Sequence, residues 1–248
     1  MKIRRRDDHS LILLWRRTFS AQIHLIGAIL MAIGGTYLLP AAHGIGPDYE
    51  IAAWVFILTG IIVFSGSFLF HFLTDGYHVS SKLEVFLEKL DHFGIYLFIA
   101  GTYSAFLTSV VSEPWKTALL YMIWTIAILG ILYTYFQERL PNFLKGRLFY
   151  TGIFMVMGWT VLLRIGEIYS KLSFPEMILF FGGAASYSLG AVIFYLKKPT
   201  LFKGYLGHHE IWHLMVLVGA LFHFLLIFSF YSAEVREMLT ITASKVAR

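Results

Sequence analysis

His209-Glu210-Ile211-Trp212-His213 spells H-E-x-x-H, the pattern with which zinc metalloproteases grip one ion between two imidazoles. Residues four apart share one face of an α-helix, so His209 and His213 can reach the same metal, with Glu210 placed as a general base. The same spacing recurs in Ser65-Gly66-Ser67-Phe68-Leu69-Phe70-His71, where Ser67 and His71 lie one helical turn apart. His71, His209 and His213 together offer three nitrogens and leave a fourth tetrahedral position open, the arrangement of catalytic rather than structural zinc. Asp91 would then hold a water and accept its proton, while Ser67 would hydrogen-bond that water or an oxyanion. With no cysteine in the chain, neither a thiolate metal site nor a disulfide framework is available.

These residues must be positioned by something other than a water-soluble fold. The chain has 248 residues, 58% hydrophobic and 14% charged, with a mean hydropathy of +0.70. A soluble domain carries about 25% charged residues, so this composition belongs in a bilayer. Runs of the roughly 20 apolar residues needed to cross one occur at about 20–40, 51–73, 92–112, 115–136, 149–168, 175–196 and 209–231. The ten-residue alternation of barrel strands is absent. The expected architecture is one all-α bundle of seven transmembrane helices filling the whole chain. Before the first span, Ser10 to Phe19 holds apolar residues, Trp15 and two arginines, as a short interfacial helix would.

Basic residues set the orientation. Lys2, Arg4, Arg5, Arg6, Arg16 and Arg17 precede the first span, and Lys82, Lys89, Arg139, Lys145, Arg147, Lys197, Lys198 and Lys203 fall in loops on that same side. The positive-inside rule predicts a cytoplasmic N-terminus and an external C-terminus. Spread over short loops, these charges form no single basic face for nucleic acid. In this topology His71 lies at the inner end of the second span, while Asp91, His209 and His213 open the third and seventh at the same depth. Polar groups at membrane depth are costly and face one another or a cavity. Simpler roles exist for each alone: His71 as an inter-helix hydrogen-bonder, Asp91 as the N-cap of the third helix. His92 and His208 adjoin the candidates but point about 100° away, and are read as structural.

A protease needs a third ligand further along, and none is in reach. Leu214 to Gly219 lacks the metzincin extension, His223 is about 15 Å up the same helix, and Glu234 and Glu237 lie beyond the span. The third ligand must come from an earlier helix.

The stretches SGSFLFH (65–71), KLDHFGIYLFIAGTYSAFL (89–107), YSLGAVIFYLKKP (187–199) and HHEIWHLMVLVGALFHF (208–224) resemble the hemolysin III proteins of the progestin and adiponectin receptor superfamily. The resemblance runs in matching order over nearly the whole chain. It implies zinc held by His71, His209 and His213 near the cytoplasmic face, with Asp91 and Ser67 beside it, and residence in a bacterial inner (plasma) membrane. One departure is plain: the acid and asparagine that many bacterial members carry before the first helix are replaced by Arg17-Thr18-Phe19-Ser20-Ala21-Gln22-Ile23, although His24 is retained. Kinship with ceramidase-like receptors implies a zinc-dependent hydrolase of an amide or ester in a membrane lipid. The alternative is a non-enzymatic, zinc-stabilised receptor or sensor of membrane lipid state. An intramembrane zinc protease and a cytolysin rank behind both.

Overall fold

The computed structural model describes residues 4–5, 18–202 and 206–246. Most of the expected interfacial helix at Ser10 to Phe19 lies outside the described residues. Within a bilayer no water can satisfy the backbone, so each span must close its hydrogen bonds internally. The helices are α1 (Phe19–Ile45), α2 (Pro47–Gly76), α3 (Ser81–Val110), α4 (Trp115–Phe136), α5 (Arg147–Trp159), α6 (Ile165–Lys171), α7 (Phe174–Leu196) and α8 (His208–Val246). Seven segments are long and apolar enough to cross a membrane, the fifth being Leu148–Lys171, which joins α5 to α6. The chain is an integral membrane protein with a seven-helix fold.

Local sequence explains the boundaries. Gly46 alone separates α1 from α2 and takes φ +154°, a conformation readily available only to glycine. Pro47 then starts α2, with Asp48 and Glu50 in its first turn, where proline and acidic side chains are favoured. Ser80 caps α3 by accepting from Leu83 N–H. The charged turns after Ser80 are helical, so Asp91 sits well inside α3. An N-cap role for it is thereby removed.

The fifth span is broken by a tighter helical turn at Thr160–Arg164. Tyr103, projecting from α3, spans the break: its hydroxyl donates to Gly158 O at 2.8 Å and accepts from Val161 N at 2.9 Å. The interrupted backbone is thus satisfied by a neighbouring helix, as hydrocarbon requires. Just after the break Glu167 accepts from Ser112 N and from the Arg164 guanidinium, tying the α3–α4 link to α6. A two-residue antiparallel pair, β1 (Arg4–Arg5) with β2 (Tyr77–His78), fastens the N-terminal tail to the chain just after α2.

α3 is the most enclosed span. Its Tyr96 and Leu107 are fully buried, as are Phe56 and Phe64 of α2, Ile123 of α4 and Met157 of α5. Ile26, Ile33, Ile51, Leu58 and Ile62 are exposed on α1 and α2, an apolar surface suited to lipid and not to water. Close approach depends on small residues. A Cβ on Gly94 would lie 2.7 Å from Val63 Cα, a backbone atom that cannot step aside. Gly94→Ala should therefore lower stability by about 1–3 kcal/mol, read as a reduced Tm in detergent. Gly152→Ala, which meets nothing within 4 Å, should be neutral or gain up to about 1 kcal/mol from helix propensity.

Candidate metal centre

α2 and α8 bring three imidazoles into one group. His71 and His213 are each 3% exposed, and His209 is half-buried in the first turn of α8. Nε2 of His209 lies 3.4 Å from Nε2 of His71 and 2.9 Å from Nε2 of His213. One nitrogen from each ring falls within 4.8 Å of the others. A tetrahedral ion with metal–nitrogen distances of about 2.0–2.1 Å separates its ligand nitrogens by about 3.3 Å, and the two spacings bracket that value. The three histidines could hold a metal ion.

The surroundings suit one. Nδ1 of His71 lies 3.1 Å from Oδ2 of Asp75, one turn on, the carboxylate support that orients metal-ligating histidines. Among the described residues, Ser67 Oγ, His213 Nδ1, Thr151 Oγ1 and both nitrogens of His24 are buried without a hydrogen-bond partner. Each orphan costs about 1–3 kcal/mol unless something satisfies it. Their presence beside three converging imidazoles fits a site that receives an ion and its waters.

Asp91 lines a cleft together with His92, Thr151, His209 and His213. His92, read from its helical angle as structural, therefore faces the same space as Asp91. Its Nδ1 contacts Glu88 O, and its ring stands edge-on to Tyr150. Ser67 is fully buried one turn before His71, outside the residues lining that cleft. Glu210 has another occupation: its Oε2 accepts from Gly207 N at 2.9 Å and caps the start of α8. The glutamate of H-E-x-x-H thus serves the helix end, and the protease reading loses its base.

Spacing alone would have found Asp75, since it stands four residues after His71 on the same helix. Thr151 comes from the fifth span, which carries no motif that points to it. Against the cleft lies a second cavity, walled almost wholly by apolar side chains. Ile95, Phe154 and Trp212 line both.

Residues 14–224 match the protein family described as haemolysin-III related. The chain is 31% identical over 202 residues to the hemolysin-3 homolog of Bacillus subtilis (strain 168), covering 81% of this chain and 87% of that protein. It is 35% identical over 201 residues to hemolysin-3 of Bacillus cereus, covering 81% and 85%. The monocyte to macrophage differentiation factor of Homo sapiens is 26% identical over 204 residues, with 82% and 79% covered. Among solved structures, the crystal structure of thermophilic rhodopsin superposes with a TM-score of 0.60 over 92% of this chain and 97% of its own, at 16% identity. That likeness is one of fold.

Two substitutions separate support from bystander at this centre. Asp75→Asn should weaken metal binding about 10- to 100-fold, measured by chelator competition on purified protein. Glu210→Gln, which keeps an acceptor for Gly207, should leave metal content unchanged.

Proposed function

The chain belongs to the haemolysin-III-related family, and on that premise we propose that it is a zinc-dependent hydrolase of an amide or ester bond in a membrane lipid. One observation carries the reading: the cleft holding Asp91, His209 and His213 shares the walls Ile95, Phe154 and Trp212 with an apolar cavity. A polar reaction centre beside an apolar hollow suits a lipid with a scissile headgroup linkage.

His71, His209 and His213 would hold the zinc. When bound, it supplies Lewis acidity, polarising a carbonyl and making water nucleophilic near neutral pH. Asp91 would orient a water in the cleft and take its proton as general base. Ser67 lies outside the cleft but one turn from His71, and its otherwise unpaired hydroxyl would hydrogen-bond a water or an oxyanion held beside that ring. Asp75, paired with His71 Nδ1, would keep that ring turned with Nε2 toward the other two imidazoles. The apolar cavity takes the acyl chain and keeps bulk water from it.

The proposed orientation places this centre near the cytoplasmic face. It is supported by the lysine and arginine distribution and by the β1–β2 pair, which holds the N-terminal tail at the end of α2 where His71 and Asp75 lie. A bacterial relative in each of two Bacillus species suits residence in a bacterial plasma membrane.

A second reading has its own support. His71 and His209 are 138 residues apart in sequence, so an ion would staple two distant helices, as a non-enzymatic receptor or sensor stabilised by zinc requires. The two readings part at Asp91. Elemental analysis of detergent-purified protein should find about one zinc per chain, lost in His71→Ala and kept in Asp91→Ala. With lipid amides as substrate, Asp91→Ala should cost about 10²–10⁴-fold in turnover. Absence of turnover in zinc-loaded wild type across lipid amides and esters would leave the sensor reading. Ala184→Phe, which fills the apolar cavity, should raise KM for long-chain substrates about tenfold, the worth of two lost methylene contacts, and spare short-chain ones.

A further inference from the structure

His24 lies on α1, 3% exposed, with neither ring nitrogen bonded. A leucine or phenylalanine would fill the same space without that cost, since a buried polar group lacking a partner is unfavourable by about 1–3 kcal/mol. Its position is fixed from two sides. One turn along, Gly27 lets Phe64 approach so closely that a Cβ would lie 2.6 Å from that ring, and His24 itself packs on Phe64 with centroids 5.4 Å apart. On the other side its ring meets His213 edge to face, 4.4 Å between centroids with planes at 89°. His213 carries the complementary deficiency: its Nε2 joins the triad while its Nδ1 is buried and unbonded. Histidines that bind metal nearly always donate the proton on their other nitrogen to a partner. His71 has Asp75 for this; for His213 the neighbouring polar ring is His24.

We propose that His24 is a positioning residue for the metal centre: it accepts the Nδ1 proton of His213, directly after a small ring rotation or through one water, and so fixes the tautomer whose Nε2 lone pair faces the ion. This rests on reading the three histidines as a metal site. It supplies the outer support that an acid gives His71, and it does so from α1, a helix that supplies none of the three ligands.

The test is zinc affinity of the full-length protein in detergent, by chelator competition, with thermal unfolding of the metal-free protein confirming the fold. His24→Phe keeps the ring's bulk and removes its acceptor; it should weaken zinc binding about 10- to 100-fold. His24→Gln, whose amide oxygen can accept, should recover most of that loss. The inference is overturned if His24→Phe binds within about twofold of wild type, or if His24→Gln is as weak as His24→Phe, since an outer-sphere hydrogen bond is worth more than that. It is also overturned if His24→Gln alters the cobalt-substituted visible spectrum in the manner of a lost ligand, for then His24 binds the ion itself. His71→Ala keeps the two ideas apart. Loss of zinc there with none in His24→Phe discards only the role of His24, whereas full affinity in His71→Ala discards the triad as well.

Discussion

Every buried polar atom in this bundle has to find a partner inside the protein, because hydrocarbon on the outside offers none. Most of the structure obeys that constraint. Tyr103 repairs the broken fifth span through Gly158 and Val161, and threonines such as Thr59, Thr74 and Thr102 return their hydroxyls to carbonyls one turn back. The violations gather in one place. Ser67, Thr151, His24 and His213 all leave a buried polar atom unbonded around the imidazole triad, while elsewhere among the described residues only Ser109 and His223 do so. Four of the six residues with such atoms thus surround the candidate metal centre.

The triad was legible in the sequence because two independent regularities coincide. Four-residue spacing put His209 with His213, and the alternating direction of the spans put His71 at their depth. Neither regularity depends on tertiary detail. Asp75 obeys the first and was legible too, but a carboxylate near a helix end is easily taken for solvated surface. Glu210 shows the opposite error. A motif fixes which residues are adjacent in sequence, while the helix N-terminus has unpaired N–H groups of its own, and the nearest carboxylate went to them.

Other features depended on packing between helices and left no trace in periodicity. Hydropathy marks where α3 enters the bilayer and says nothing of its charged opening turns, which is why Asp91 looked like a cap. Helical angle separates His92 from Asp91 along one element, yet a cleft bounded by α3, α5 and α8 is wide enough to meet both. The shared wall of the two cavities arises from Ile95, Phe154 and Trp212 on three different helices, and no local pattern could have announced it.

The distance in sequence between His71 and His209, 138 residues, sets an order of events during synthesis. Ribosomes add about 5–20 residues per second, so roughly 7–28 s separate the appearance of the first imidazole from that of the second. Through that interval α2 is inserted and carries His71 without the two imidazoles of α8. The triad closes only when α8 docks: a chain cut short before α8 lacks two of the three imidazoles, however well its earlier spans have folded.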